Sequence, residues 1–233
     1  MTTGVNLTLR TSNSTRPVLD LLLPDFERAS GHTITLILDT AKNSLARIEA
    51  GERADMAVLL AASIDKLTGL GIVDAASRQP FARSTIGMAV LKGAPKPDIS
   101  TVDAFKRTLL NAKSIAHTVH GPSGAYFPGL IERLGIAEQV KPKTVTRPGG
   151  YIGVVVTAGE AEMAFQQICE LLAVPGLDVV GPIPQALQHN FDSQAAIFSG
   201  STQRAAAQEL LRYLARPAHA ATFVKAGLEQ LPA

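Results

Sequence analysis

The chain keeps repeating one unit: an apolar stretch rich in β-branched residues, a short junction of small or hydroxyl-bearing residues, and an amphipathic helical stretch. Asn6–Arg10 reads as a strand, Thr11-Ser12-Asn13-Ser14-Thr15 as its junction, and a helix opens at Pro17, where a missing N–H costs nothing. Thr33–Leu38, the junction Asp39-Thr40-Ala41-Lys42-Asn43 and a helix through Leu45 and Ile48 to Gly51 repeat the unit. Such alternation points to an α/β fold with mostly parallel strands flanked by helices, whose ligands sit at the carboxyl ends of the strands.

The pattern continues with strands Ala54–Leu60 and Thr85–Leu91 around a helix Ser63–Leu70. Beyond the Pro/Gly-rich residues 93–97 come a helix Val102–Ala112, with Ser100 and Asp103 at capping-box spacing, a strand Ser114–Val119 and the junction His120-Gly121-Pro122-Ser123-Gly124. A helix Ala125–Leu134, the turn Arg147-Pro148-Gly149-Gly150 and a helix Tyr151–Ala158 follow. Met163 then lies in a short buried strand from which two adjacent amides, Gln166 and Gln167, emerge at the edge of a sheet, a pattern suited to a polar ligand cleft. Strands at Val179-Val180 and Gln194–Phe198 and helices Thr202–Ala215 and Pro217–Lys225 complete the chain. Pro24, inside the apolar pattern Val18–Phe26, predicts a kink or restart of the first helix.

The 233 residues suffice for two modest lobes. Pro/Gly-rich stretches near 93–97 and 181–184 bracket a middle segment, so the expected organisation is a discontinuous lobe 1 (residues 1–88 and 192–233), a lobe 2 (residues 89–191) and a ligand cleft between them. Lys and Arg number 22 against 20 Asp and Glu, with no dense basic cluster, which leaves no electrostatic footprint for nucleic acid. The start Met1-Thr2-Thr3-Gly4-Val5-Asn6 has neither a basic nor an apolar leader region, and no later stretch approaches bilayer-spanning length. The expectation is a soluble, monomeric protein without membrane insertion, periplasmic if a signal peptide was trimmed and otherwise cytoplasmic. The single Cys169 excludes an intrachain disulfide and reads as a buried thiol in a helix.

Helix starts carry unpaired N–H groups and the positive end of the helix dipole, and small residues let an anion approach them. Four junctions qualify: Ser12-Asn13-Ser14, Thr40-Ala41, Pro122-Ser123-Gly124 and Gly149-Gly150. Each taken singly is also what a helix cap requires, so the weight lies in their joint occurrence with Gln166 and Gln167. Arg16, Lys42 and Arg147 lie beside them as candidate carboxylate partners or solvated charges. His117 and His120 flank a strand end as candidate bases or hydrogen-bonded structural residues. No Walker loop, dinucleotide fingerprint, nucleophile elbow or metal-ligand spacing occurs, so neither a cofactor nor a metal is expected.

Asp25-Phe26-Glu27-Arg28-Ala29-Ser30-Gly31, Leu45-Ala46-Arg47-Ile48-Glu49-Ala50-Gly51 with Ala54-Asp55, Gly159-Glu160-Ala161 and Leu214-Ala215-Arg216-Pro217 together resemble the type II periplasmic solute-binding proteins, and specifically the molybdate-binding proteins of ABC transporters. The resemblance implies a two-lobed fold with a small anion in an interlobe cleft, and an ABC permease as partner if the chain is exported. It places the family's first oxyanion-binding serine at Ser14, its second hydroxyl loop at Thr40–Lys42, backbone donors at Ser123 and Ile152 and its cleft tyrosine at Gln167. Asp39 and Lys42 stand where the family offers neutral donors, which favours an organic carboxylate over a molybdate-type oxyanion. Aconitate isomerase looks like a member of the same family with proton-transfer chemistry. An isomerase of a small unsaturated polycarboxylate is therefore the alternative, with His117, His120, Tyr126 and Tyr151 as candidate proton shuttles.

Overall fold

The computed structural model describes residues 4–232, so Met1-Thr2-Thr3 of the N-terminal reading lie outside the described residues. The chain divides into two compact units, one running to Arg83 and resuming at Phe191, the other being Ser84–Asn190.

The first unit begins β1 (Asn6–Thr11), α1 (Arg16–Ser30), β2 (Thr33–Leu38), α2 (Ala41–Glu49), β3 (Met56–Leu60), α3 (Ala61–Gly69) and β4 (Gln79–Ser84). It resumes with β10 (Phe191–Ile197), α9 (Arg204–Leu214), α10 (Ala220–Lys225) and β11 (Glu229–Gln230). Its strands order as β11-β4-β10-β3-β1-β2. β1 pairs in parallel with β2 and β3, while β10 runs antiparallel to β3.

Helix α1 turns Val18, Leu19, Leu22, Leu23 and Phe26 inward at helical spacing, each burial worth roughly 1.5–3 kcal/mol. It runs unbroken through Pro24, contrary to the expected restart, because that inward stripe continues on both sides of the proline. The helix stops at Gly31, whose φ of 76° lies in the left-handed region and whose N–H closes on the Glu27 carbonyl at 2.9 Å. Two carboxylates then brace backbone: Glu27 accepts from the Ile34 N–H at 2.6 Å, and Asp55 accepts from the Thr8 N–H at 2.8 Å and from Ser201 Oγ at 2.7 Å.

The second unit comprises β5 (Ile86–Leu91), α4 (Val102–Asn111), β6 (Ile115–Thr118), α5 (Pro122–Arg133), α6 (Ala137–Val140), β7 (Thr144–Arg147), α7 (Gly153–Thr157), β8 (Met163–Gln167), α8 (Ile168–Leu172) and β9 (Leu177–Pro182). The strand order is β7-β6-β8-β5-β9, with β6 parallel to β7 and β8 and with β5 antiparallel to β8 and β9. Both sheets are therefore mixed, not mostly parallel. In each, an antiparallel strand stands next to a parallel trio.

Several element boundaries differ from the sequence reading. α5 starts at Pro122, not Ala125, so Ser123 and Gly124 belong to its first turn. α7 is shorter than the expected Tyr151–Ala158. α4 is capped by Thr101, whose hydroxyl accepts from the Ala104 N–H at 3.1 Å, and Ser100 instead donates to Asp98 at 2.7 Å. Strand β4 had no counterpart, because Gln79, Pro80 and Arg83 break the apolar pattern. β8 is an interior strand between β6 and β5, so Gln166 and Gln167 lie buried within a sheet and not at its edge.

Candidate functional site

In the first unit, the polypeptide leaves β1 into a nest of hydroxyls. Thr11 and Thr15 hydroxyls approach to 2.6 Å, and those of Ser12 and Ser14 to 3.0 Å. Thr15 is the N-cap of α1 and no side chain caps the helix, but the Arg16 N–H is taken by the Ser12 carbonyl at 3.1 Å and Pro17 has none to offer.

The neighbouring α2 junction is more self-contained. Thr40 accepts from the Asn43 N–H at 3.2 Å, and Asp39 accepts from the Thr40 N–H at 2.8 Å while pairing with Arg47 at 3.3 Å. The polar atoms of Asp39 and Thr40 thus build their own helix start, whereas Lys42 is exposed in the first turn.

The second unit brings its two junctions side by side because β6 and β7 are neighbours. Val119 N–H donates to the Arg147 carbonyl at 2.8 Å and His120 N–H to the Pro148 carbonyl at 3.0 Å, lashing the α5 loop to the Arg147–Gly150 turn. At the start of α5 the Ser123 and Thr118 hydroxyls are each only 1% exposed, and neither has a hydrogen-bond partner. No side chain caps α5. The approach of helix to strand depends on Gly124, where a Cβ would fall 1.7 Å from the Thr118 carbonyl oxygen. The result is two buried hydroxyls and a set of first-turn N–H groups at a positive helix end, a donor array suited to a small anion.

The paired glutamines work inward. Gln166 accepts from the Ile152 N–H at 2.9 Å and donates to the Gly150 carbonyl at 2.8 Å, so it clamps the loop before α7. Ile152 N–H, the expected ligand donor, is engaged by this clamp. Gln167 accepts from Ser84 Oγ and donates to Glu170 at 3.1 Å. Glu170 itself is 7% exposed, and burial pushes its carboxyl up to about 8 against the pull of the Gln167 and Gln166 amides. Its neighbour Cys169 is buried, as expected, and burial pushes that thiol up as well.

The four candidate shuttles are not equivalent. His117 lies in the core, its ring 4.9 Å from that of Phe127 and its Nδ1–H donating to the Thr118 carbonyl at 3.0 Å. Burial pushes its basicity down, partly offset by that carbonyl. Tyr126 donates to the Leu187 carbonyl at 2.8 Å and accepts from Arg133 at 2.6 Å, an arrangement that locks it into packing. His120 and Tyr151 sit on the two loops lashed together beside α5. Arg16 and Arg147 are engaged by Asp20 and Glu160 respectively.

Sequence reasoning missed Thr118 and Glu170. The signal for the latter was available: an acid three residues after Gln167, inside the apolar run Ile168–Val174. Among the described residues no cluster of His, Cys, Asp and Glu could hold a metal, and no helix is long and apolar enough to cross a membrane.

The chain is similar to known proteins along its whole length. An aconitate isomerase of a Pseudomonas species is 36% identical over 233 residues, covering 97% of this chain and 88% of that protein. The periplasmic molybdate-binding protein of Azotobacter vinelandii superposes with a TM-score of 0.80 at 18% identity, covering 97% of this chain and 100% of the other. The sulfate-binding protein SubI of Mycobacterium tuberculosis gives 0.75 at 18% identity, covering 97% and 87%. These two structural likenesses bear on the fold, which is the two-lobed periplasmic-binding type. The family model for the bacterial extracellular solute-binding proteins matches residues 7–229, and the chain belongs to that family.

Proposed function

We propose that the protein captures a small organic polycarboxylate, with aconitate as the first candidate. The observation that carries this reading is the pair of buried, unpartnered hydroxyls of Thr118 and Ser123 at the uncapped start of α5. A buried hydroxyl without a partner costs about 1–3 kcal/mol, and an anion accepting from it removes that cost. The preference for a carboxylate rests on the relative named aconitate isomerase. If the chain is exported, an ABC permease is its expected partner.

Thermal-shift measurements with cis-aconitate, trans-aconitate, citrate, molybdate and sulfate test this. A carboxylate is expected to raise the melting temperature more than either oxyanion, because a ligand that binds only the folded state stabilises it. Ser123→Ala should lower affinity for that carboxylate about tenfold. Absence of a shift with all five at millimolar concentration would sink the binding reading, and submicromolar molybdate affinity would overturn the carboxylate preference.

The second reading is an isomerase, favoured by the same relative and by the buried carboxyl of Glu170, a group that can hold a proton. A base removes an allylic proton, the double bond shifts, and the proton returns to the other end of the allylic system, so no other reactant is consumed. Donors at the start of α5 would stabilise the enolate-like charge. Incubation with either aconitate isomer in heavy water, followed by NMR, should give deuterium incorporation and interconversion. Bound but unexchanged aconitate would leave a receptor.

A further inference from the structure

Glu170 is the one strongly buried carboxylate-bearing side chain of the second unit that the binding reading leaves unused, and its surroundings are unusual. It sits at the end of a buried chain in which Ser84 Oγ donates to Gln167 Oε1 and Gln167 Nε2 donates to Glu170 Oε2 at 3.1 Å. Ser84, Gln167 and Glu170 are 3%, 1% and 7% exposed. Gln166, which also contacts Glu170, clamps Gly150 and Ile152 beside the start of α5. Gln166 therefore connects the carboxyl to the loop beside the candidate anion site, while Gln167 ties it to Ser84.

No cation answers this carboxyl. α8 packs on β5, β8 and β9. Neither β5 nor β8 contains a titratable side chain. The only one on β9, Asp178, accepts from the Gly93 N–H at 2.9 Å. On α8 itself the other titratable group is the Cys169 thiol, which burial keeps protonated.

We propose that Glu170 is a positioning and charge-setting residue for anion capture: as a neutral acid it holds the Gln166–Gln167 amides in register, and once ionised it opposes the bound anion. The proposal rests on the anion-binding reading above. Its chemistry is like-charge repulsion across a buried region, where a single charge acts over longer range than in water. Burial holds the acid form up to about pH 8, so the transition falls where a tricarboxylate such as aconitate is already fully ionised.

Calorimetry with trans-aconitate from pH 6.5 to 9 provides the test. Wild-type affinity is expected to fall about tenfold across this range, and Glu170→Gln, neutral at every pH and close in shape, should lose most of that fall. An equal fall in both proteins would overturn the proposal while leaving the binding reading intact. Absence of binding at pH 6.5 in wild type would instead overturn the binding reading and the proposal with it. A second measurement needs no variant: carboxyl-carbon NMR of protein labelled at glutamate follows Glu170 directly. By linkage, saturating trans-aconitate should raise its midpoint, and an unchanged midpoint would overturn the proposal even if Glu170→Gln failed to fold.

Discussion

A carboxylate kept out of water without a counter-charge leaves a signature in stability as well as in binding. In the folded protein Glu170 holds its proton up to about pH 8, whereas in the unfolded chain it releases it near the ordinary value of 4.5. Between those limits the unfolded state binds fewer protons, so its contribution is fully present below pH 4.5 and is lost as pH rises towards 8. The slope is at most about 1.4 kcal/mol per pH unit. Urea denaturation of wild type and Glu170→Gln at pH 5 and pH 8 should show the variant gaining ground at the higher pH. A stability difference that does not change with pH would mean that Glu170 is ionised in the folded state.

Elements follow from different kinds of signal. The opening of the first unit was legible because its apolar periods switch between 2 and 3.6 and its helices end at Gly31 and near Gly51. The family-like stretches have a physical basis too: Glu27 and Asp55 brace the backbone of the strands beside them. Three kinds of feature were not legible. The pairing direction of β5 and β10 depends on partners far away in sequence, so local pattern could not reveal that the sheets are mixed. Gln166 and Gln167 read as ligand groups because nothing local announces Ser84 or Gly150 as their partners. The start of α5 hid because Pro122, Ser123 and Gly124 read as a loop, although proline and small polar residues are what a first helical turn accepts. Gly124 offers the sharpest test at this scale. Gly124→Ala must push α5 off the Thr118 carbonyl, and a loss of roughly 1–3 kcal/mol is expected, with the carboxylate-induced thermal shift reduced or abolished. An unaltered melting temperature and an unaltered shift would show that the close approach is dispensable.

The whole molecule is built from two sheets of like design, yet the chain treats them differently. Every strand of the five-stranded sheet lies within Ser84–Asn190, one uninterrupted segment. That segment expressed alone is expected to give a dispersed amide NMR spectrum and a cooperative thermal transition, and a collapsed, poorly dispersed spectrum would contradict its independence.

The six-stranded sheet has no such freedom, because β10 is inserted between β3 and β4. During synthesis from the N-terminus, β1, β2, β3 and β4 emerge early but lack the strand that joins them into one sheet. They must wait until the ribosome has passed Ile197, by which time all of the second unit has been made. The segment translated in the middle is thus the first that can finish folding, and the earliest part of the chain stays an incomplete sheet, with strand edges for chaperones to protect, until nearly the last.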